Sequence, residues 1–497
     1  MREWKGWAMR LHELLGDVGA MTLPDTETTI TGLTADSRAV KPGFLFAAIP
    51  GTKQDGRSYV ADAIARGASA ILAPPDIDRA LVGDRATLIL DANPRRRLAR
   101  IAARFHAPQP DIVVAVTGTN GKTSVASFTR QIWAGMGLAS ASIGTLGVVA
   151  PGRPGGPGLT TPDPVMLHAT LQELEREGVD HVAMEASSHG LDQYRLDGLQ
   201  LTAGAFTNLT RDHLDYHGSM EAYRAAKLRL FDELLTRGAA AIANTAAAEH
   251  DSIANIARER GLRLISYGLE HGNLRAVRIE ARANGFALEL EVLGRRHAVD
   301  LPLAGRFQIE NALCALGLVI GSGADPEHAV RALAAITNVP GRMELVGHIA
   351  GDAAIYVDFA HTPDALETVL KTLRPHTRGR LHAVFGCGGD RDPGKRPQMG
   401  AVVARLADLP IVTDDNPRSE RPEAIRAQVM AACPGGIEIG DRHEAIEKAI
   451  AGLASGDVLV IAGKGHEQGQ TLADRTIPFD DRDVARAALA RLGGVPA

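Results

Sequence analysis

The sequence of 497 residues has few cysteines and no long apolar run. The three cysteines, Cys314, Cys387 and Cys433, are too few and too scattered for a disulfide framework or a zinc site. No stretch reaches the roughly 18 apolar residues of a membrane-spanning helix. Charged residues also interrupt the start of the chain, which therefore lacks the apolar core of a signal peptide. These absences favour a cytoplasmic protein with reduced thiols.

Lysine is also scarce, because only 9 of the 54 basic residues are lysine and the other 45 are arginine. The 59 acidic residues give a net charge of -5, which disfavours a protein that grips a nucleic-acid backbone. Hydrophobic residues make up 45% and charged residues 23%, as in soluble globular proteins. At roughly 100–200 residues per domain, the length predicts two to four domains.

Short apolar strands alternate with helical stretches along most of the chain, which predicts an α/β fold with parallel sheets covered on both faces. A change of character near Val339-Pro340-Gly341 suggests a domain boundary. We therefore predict three domains: residues 1–98, 99–338 and 339–497. The segment 151–158, PGRPGGPG, is too rich in Pro and Gly for a helix or central strand and predicts a flexible surface loop.

A glycine loop links a predicted buried strand, 111–118, to a predicted helix, which is the context of a phosphate-binding loop. Glycine lets the backbone approach phosphate, Lys122 would reach the β- and γ-phosphates, and Thr123 would offer its hydroxyl to Mg²⁺. The loop is shorter than the common pattern, which requires glycine where Val116 stands. The predicted ATP-binding residues of the loop are Gly118, Thr119, Asn120, Gly121, Lys122 and Thr123.

The last four predicted strands each end in polar or glycine-rich residues: AHTPD, GCGGDRDPGKRP, DDNPRSE and GKGHE. Ligands of open α/β sheets bind beyond the carboxyl ends of the strands. The C-terminal third is therefore predicted to carry a binding site at one edge of its own sheet.

The phosphate loop resembles the ATP loop of the Mur ligases and the folylpolyglutamate synthases, and further motifs resemble the Mur ligases in family order over residues 30–485. By that resemblance, Glu185 and His213 hold Mg²⁺, and Lys227 is carbamylated and joins them as an anionic oxygen donor. Lys122, Lys227, Glu185 and His213 are thus the predicted catalytic residues. Asn311, Arg342 and Asp358 are implied to contact the nucleotide.

The resemblance also implies three domains: a uridine-nucleotide-binding α/β domain, a central P-loop ATPase-like domain and a C-terminal Rossmann-like domain. The family joins an amino acid to a carboxyl group of a uridine-diphosphate-linked muramoyl precursor. The residues implied to hold that precursor are Ala35, Ser37, Thr52, Lys53, Gln54, Thr160, Thr161, Ser187, Gln193 and Arg195.

The run Asp415-Asn416-Pro417-Arg418 resembles the motif by which one branch of the family selects meso-diaminopimelate. Diaminopimelate differs from lysine by one carboxylate at its far end, which a guanidinium can bind in a bidentate manner. Without that carboxylate a buried arginine is unpaired, which disfavours lysine. The predicted diaminopimelate-binding residues are Arg391, Asp415, Asn416, Pro417, Arg418, Gly463 and Glu467.

The resemblance therefore implies an ATP- and Mg²⁺-dependent ligase that adds meso-diaminopimelate to UDP-N-acetylmuramoyl-L-alanyl-D-glutamate through an acyl-phosphate, for peptidoglycan synthesis. A monomer is expected, although the sequence does not itself reveal the oligomeric state. Neither nucleic acid nor membrane insertion is expected. The alternatives are a lysine-adding relative, a ligase like folylpolyglutamate synthase, and a non-catalytic ATP-gated binding protein. A nicotinamide-dependent oxidoreductase is suggested only by the glycine run 386–390, which lacks the spacing of a dinucleotide fingerprint.

Overall fold

The computed structural model describes residues 8–16, 27–51, 55–156, 158–282, 285–303, 305–349 and 352–497. It contains three α/β units, each built around its own sheet. Cys314, Cys387 and Cys433 are buried and free. Within the described ranges, no helix combines the length and the apolar character needed to cross a membrane.

The N-terminal sheet has four parallel strands, in the order Gly32–Thr34, Phe44–Ala47, Ala70–Ala73 and Thr87–Leu90. Its helices are Leu11–Leu15, Val60–Ala65 and Pro94–Phe105, with 3₁₀ turns at Ser37–Ala39, Gly56–Tyr59 and Arg79–Leu81. Two short strands, Met9–Arg10 and Thr29–Ile30, pair beside this sheet.

The helix Pro94–Phe105 crosses the first predicted domain boundary, at residue 98. Asn93 caps it by accepting a hydrogen bond from the Arg96 amide, and proline occupies its first turn. Leu98 and Phe105 pack into the same apolar cluster as the N-terminal strands. We therefore propose that the N-terminal domain extends to the end of this helix.

The central sheet has eleven strands. Their spatial order is Arg153–Pro154, Gly147–Ala150, Ser140–Gly144, His181–Glu185, Ile112–Thr117, Ala203–Phe206, Ala240–Asn244, Arg263–Gly268, Leu274–Arg282, Gly285–Val292 and Arg295–Leu301. The strands between 112 and 268, apart from the edge hairpin at 147–154, are parallel, as predicted. The helices are Lys122–Gly135, Pro164–Arg176, Ser188–Asp192, Leu214–His217, Met220–Arg229, His250–Arg260, Arg306–Gly321 and Pro326–Leu333, with a π-helical turn at Leu230–Leu234.

Both edges of the central sheet depart from the predicted parallel pattern. An antiparallel meander, which the sequence prediction did not include, is formed by the strands Leu274–Arg282, Gly285–Val292 and Arg295–Leu301. At the other edge, Arg153–Pro154 pairs antiparallel with Gly147–Ala150, so the segment predicted as a loop contains a short edge strand. Proline is compatible with this place because an edge strand need not use every amide in the ladder.

The C-terminal sheet has seven strands, in the order Ile437–Glu438, Leu409–Val412, Leu381–Phe385, Val458–Ala462, Ala353–Asp358, Glu344–Ile349 and Val495–Pro496. The first five strands are parallel to one another. Glu344–Ile349 pairs antiparallel with Ala353–Asp358, and Val495–Pro496 pairs antiparallel with Glu344–Ile349. Its helices are Pro363–Leu373, Lys395–Leu406, Pro422–Met430, Arg442–Ala451 and Asp481–Arg491, with a 3₁₀ turn at Arg374–His376. A separate hairpin joins Gly469–Thr471 to Thr476–Pro478.

The strand order brings the chemically distinctive segments together. In the central sheet Glu185 pairs in register with Val116, so it lies beside the start of the phosphate loop. In the C-terminal sheet Asp358 pairs with Ala462, the residue before Gly463. The carboxyl ends of both parallel sheets therefore carry the predicted site residues, as open α/β sheets do.

Candidate active site

A cavity of about 630 Å³ lies between the central and C-terminal sheets and is lined by residues of both. Most of the predicted ATP, metal and diaminopimelate residues line it: Thr119, Asn120, Gly121, Lys122, Thr123, Glu185, His213, Lys227, Asn311, Arg342, Asp358, Arg391, Asp415, Asn416, Arg418, Gly463 and Glu467. Of the described residues predicted to hold the precursor, only Thr160 and Ser187 do so. Gly118 and Pro417 are not among the lining residues.

The phosphate loop is held by the end of the neighbouring strand. The Thr119 amide donates to the Asn208 carbonyl at 2.8 Å, and the Asn120 amide donates to Asn208 Oδ1 at 2.9 Å. Gly121 has a φ of 89°, and a Cβ there would lie 2.5 Å from Asn311 Oδ1. Glycine is thus required both by the backbone conformation and by the close approach of Asn311.

Two lysines meet the main chain of this loop. Lys122 Nζ donates to the carbonyls of Gly118 and Thr119, at 2.9 and 2.8 Å. Lys227 Nζ donates to the Gly118 carbonyl at 2.7 Å and is 1% exposed. Burial lowers the pKa of both ammonium groups, and the nearby Lys122 charge lowers that of Lys227 further. Lys227 is therefore not a solvated surface lysine.

Glu185 is buried and receives hydrogen bonds on both carboxylate oxygens. The Thr123 hydroxyl donates to Oε2 at 3.1 Å, and the Thr145 amide donates to Oε1 at 2.8 Å. Arg342 reaches across from the C-terminal unit and donates to Thr123 Oγ1 at 2.9 Å. Its guanidinium also lies 4.3 Å from the centre of the Phe359 ring. The Thr145 hydroxyl also donates to Glu185 Oε2, at 3.4 Å, and Thr145 was not among the predicted site residues.

The donor set at this end is compatible with Mg²⁺. Glu185 and Thr123 supply hard oxygens, and burial lowers the pKa of His213 to about 3, which keeps its imidazole neutral. Within the described part of the chain, no three His, Cys, Asp or Glu side chains cluster as a ready metal cage. Magnesium sites commonly use one or two carboxylates together with water and substrate phosphates, so these residues fit a site that the nucleotide completes.

Asp358 accepts hydrogen bonds from two main-chain amides, and one of them belongs to the residue after Arg342. Its carboxylate oxygens accept from the Met343 and Ala360 amides, both at 2.7 Å. Burial raises the pKa of Asp358, while the Arg342 charge lowers it. Asn311, on the first turns of a buried helix, donates to Gln308 Oε1 at 2.8 Å. Both residues line the cavity near the phosphate loop.

Four residues predicted to hold the precursor form one network beneath Glu185. Thr161 Oγ1 donates to the Glu185 carbonyl at 2.9 Å and accepts from the Ser187 amide at 3.0 Å. Arg195 donates to the Thr161 carbonyl at 2.6 Å and to Gln193 Oε1 at 2.8 Å. The network therefore supports the wall that Thr160 and Ser187 present to the cavity.

The predicted uridine end lies elsewhere. Ala35 and Ser37 belong to the N-terminal unit and do not line the cavity. Ser37 is buried and forms a side-chain hydrogen bond with Asp62, which lowers the pKa of that carboxyl. Thr52, Lys53 and Gln54 lie outside the described residues.

At the other end of the cavity, a buried lysine organises the predicted amino-acid site. Lys464 Nζ donates to Asn416 Oδ1 and to Glu467 Oε2, both at 3.0 Å. Asn416 Nδ2 also donates to Glu467 Oε2, at 2.9 Å. Gly463 has a φ of 121°, and a Cβ there would lie 2.8 Å from Asp415 Oδ2. Lys464 was not among the predicted binding residues, although it stands in the GKGHE run and lysine is scarce.

Two guanidinium groups complete this end. Arg418 has a φ of 50° and donates to the Gly389 carbonyl at 2.8 Å, whereas Arg391 is exposed. Burial and the Arg391 charge lower the pKa of Arg418. Neither arginine takes part in an ion pair with another described residue. Two cavity-lining cations without carboxylate partners form a site for an anion.

Comparisons with known proteins give the family. Three family models match the chain: "Mur ligase family, catalytic domain" over residues 29–106, "Mur ligase middle domain" over 116–319, and "Mur ligase, glutamate ligase domain" over 341–465. A UDP-N-acetylmuramoyl-L-alanyl-D-glutamate–2,6-diaminopimelate ligase of Mesorhizobium japonicum is 51% identical over 97% of this chain and 99% of its own length.

Solved structures agree with this assignment. A structure of a UDP-N-acetylmuramoyl-L-alanyl-D-glutamate–2,6-diaminopimelate ligase is 32% identical, with a TM-score of 0.71 over 98% of this chain and 99% of that chain. A Mycobacterium tuberculosis folylpolyglutamate synthase complexed with ADP has a TM-score of 0.62 over 81% of this chain and 95% of that chain. At 18% identity, that second likeness shows a common fold alone.

Proposed function

The chain belongs to the Mur ligase family, and we propose that it is an ATP-dependent ligase that joins meso-2,6-diaminopimelate to UDP-N-acetylmuramoyl-L-alanyl-D-glutamate in peptidoglycan synthesis. The observation that carries the proposal is a single cavity with a phosphate loop at one end and the Arg391–Arg418 pair at the other. The first feature suits ATP, and the second suits an amino acid with an additional carboxylate.

The phosphoryl transfer would take place at the phosphate-loop end. Lys122 would exchange its carbonyl partners for phosphate oxygens, and the start of the helix Lys122–Gly135 would face the same anion. The γ-phosphoryl group passes to the D-glutamate carboxylate, which forms an acyl-phosphate and ADP. Thr160 and Ser187, in the cavity wall, lie where they can hold that carboxylate.

Glu185, His213 and Thr123 would hold Mg²⁺, which when bound neutralises charge on the phosphates. Lys227 would join them after carbamylation, in which its neutral amine forms an N–C bond to CO₂ and releases a proton. Burial favours the neutral amine that this reaction requires, because it lowers the lysine pKa. The product is an anionic oxygen donor in place of an ammonium that would repel the metal.

Recognition of the incoming amino acid would use the opposite end. Arg418 binds the far carboxylate of diaminopimelate, Arg391 binds the other carboxylate, and Glu467 with Asn416 accepts the far amine. Lys464 fixes Asn416 and Glu467 beforehand, which reduces the ordering that binding requires. The precursor's uridine end would extend to the N-terminal unit, toward Ser37 and the segment 52–54.

The cell compartment and assembly state follow from the same reaction. We propose a cytoplasmic enzyme, because ATP is consumed. We also propose a monomer, because one chain supplies both ends of the cavity.

An omission experiment tests the function. Purified protein should release phosphate from ATP only when the muramoyl dipeptide and meso-diaminopimelate are both present, together with Mg²⁺. The uridine-linked product should be heavier than the muramoyl dipeptide precursor by the mass of one diaminopimelate minus one water. Phosphate release without either acceptor would instead indicate an ATP-gated binding protein, and use of a folate with glutamate would indicate the alternative ligase.

A further inference from the structure

Amide formation requires a proton acceptor that the residues discussed above do not supply. When an amine attacks an acyl-phosphate, its nitrogen becomes positively charged and must lose a proton before the amide is stable. Lys122 and the two arginines are cations, Glu185 accepts from three donors, and Glu467 accepts from Lys464 and Asn416. A further group that touches the reacting nitrogen is therefore needed, at the junction of the two ends of the cavity.

His361 stands at such a junction. It follows the strand Ala353–Asp358, lines the cavity, and keeps 32% of its side chain exposed. Its Nδ1 lies 2.8 Å from the Phe359 carbonyl. Because a carbonyl oxygen can only accept, Nδ1 carries the proton and the neutral ring keeps a free lone pair on Nε2. The main chain thus fixes the tautomer that a base requires.

The charges around His361 suit a proton acceptor. Asp212 Oδ2 lies 3.9 Å from Nε2, too far for a hydrogen bond but close enough to stabilise an imidazolium. Burial and Lys395 lower the pKa of His361, whereas Asp212 and Asp415 raise it. His361 in turn lowers the pKa of His213. The ring is therefore neutral before the reaction, and Asp212 stabilises it once it is protonated.

The neighbours of His361 belong to both ends of the site. Asp212 immediately precedes His213, at the metal end. Asp415 begins the segment of Asn416 and Arg418, at the amino-acid end. An acyl-phosphate formed at the first end and an amine held at the second would meet between these two aspartates, which is where His361 lies.

We propose that His361 is the general base of amide formation. The amine lone pair forms the C–N bond to the acyl carbon, and the carbonyl π electrons move to its oxygen. The nitrogen then gives its proton to His361 Nε2. As the carbonyl re-forms, the C–O bond to phosphate breaks and inorganic phosphate leaves. This assignment rests on the ligase function proposed above.

Asp212 is a weaker candidate for this role. Its Oδ2 lies 3.4 Å from His213 Nε2, on the side chain assigned to the metal end. Its Oδ1 is also occupied by the His213 amide at 2.9 Å. We therefore assign Asp212 as a positioning residue that stabilises the protonated ring.

The test separates the two half-reactions. His361→Gln should form the acyl-phosphate at the wild-type rate, measured in a single turnover by trapping with hydroxylamine. Its rate of amide formation with diaminopimelate should fall by about 10²- to 10⁴-fold, and the acid limb of the pH profile of kcat/KM should disappear. Hydroxylamine is a weakly basic nucleophile, so its own reaction should be far less affected. Exposed His376→Gln is the matched control.

A second variant keeps the proposal falsifiable. Added imidazole should raise the rate of amide formation by His361→Ala. It should leave the rate of acyl-phosphate formation by this variant unchanged. Equal loss of both half-reactions in His361→Gln, or wild-type amide formation in either variant, would overturn the assignment. If the wild-type protein forms acyl-phosphate but joins no diaminopimelate, the proposed function itself fails.

Discussion

The two ends of the cavity are built differently. At the phosphate end, Lys122 and Lys227 donate to main-chain carbonyls of a short glycine loop. At the amino-acid end, Lys464 donates only to side chains, those of Asn416 and Glu467. The first arrangement converges on the backbone of one short loop, although Lys227 lies 109 positions from Gly118, whereas the second is a network of side chains from two segments about 50 residues apart.

The difference teaches how each end acquires selectivity. A backbone loop with lysine ammonium groups against it recognises charge and accepts any suitably shaped phosphate. A fixed side-chain network beside two unpaired guanidinium groups recognises the position of a carboxylate and an amine. Substitutions at the first end should therefore abolish phosphoryl transfer, and those at the second should change which amino acid is used.

The largest expected effect follows loss of Lys122. Lys122→Ala should lower kcat for ADP formation by about 10³-fold, because a cation at the developing phosphate charge is removed. Steady-state ADP release measures this. The exposed Lys371→Ala should leave the rate unchanged, and a Lys122→Ala variant with near wild-type kcat would contradict the proposed role.

Lys227 comes next. Lys227→Ala should lower kcat by about 10²-fold, and formate or acetate should restore part of it by supplying the missing oxygen donor. Lys227→Arg should be as inactive as Lys227→Ala, since a guanidinium keeps the charge but forms no carbamate. Activity of the arginine variant would show that only the cation matters. Intact mass of the native protein under CO₂ reports the modification directly.

Arg418→Ala should act on one substrate alone. A hydrogen bond to a charged group contributes about 1.5–3 kcal/mol, so the KM for diaminopimelate should rise by about 10- to 100-fold. The KM for ATP should not change. Arg421→Ala, three residues along and exposed, is the control. Equal increases in both KM values would assign Arg418 a structural role.

The smallest effect concerns the contact between the two units. Arg211, beside His213, donates to Asp392, beside Arg391, at 3.0 Å. Because this pair is partly exposed, Arg211→Ala should weaken the interaction between the two units by at most about 1 kcal/mol. The kcat should therefore fall only a few-fold. The double variant Arg211→Ala/Asp392→Asn should have a kcat no lower than that of either single variant. Additive losses would mean that the two residues act independently.

The sequence predicted those parts of the site that depend on local pattern. Gly118–Thr123 was recognisable because glycine, lysine and threonine must follow one strand and begin one helix. The segment 415–418 was recognisable for a similar reason, since it ends a strand. The parallel order of the main strands followed from their alternation with helices, which is also local information.

Other features depend on contacts between distant segments, so the sequence pattern could not reveal them. The hydrogen bond from Arg342 to Thr123 joins residues 219 positions apart. The scarcity of lysine pointed to Lys464 as lying in or beside the site, but its hydrogen bond to Asn416, 48 positions away, was not predicted. The antiparallel strands 274–301 were missed because alternating charged residues on an exposed edge resemble a polar surface segment.

The ratio of kcat/KM for meso-diaminopimelate to that for L-lysine, with ATP and the muramoyl dipeptide saturating, tests the central claim most directly. If Arg418 recognises the far carboxylate, the ratio should exceed about 100, and Arg418→Ala should lower it by about 10- to 100-fold. Equal use of the two amino acids by the wild-type protein would contradict the account.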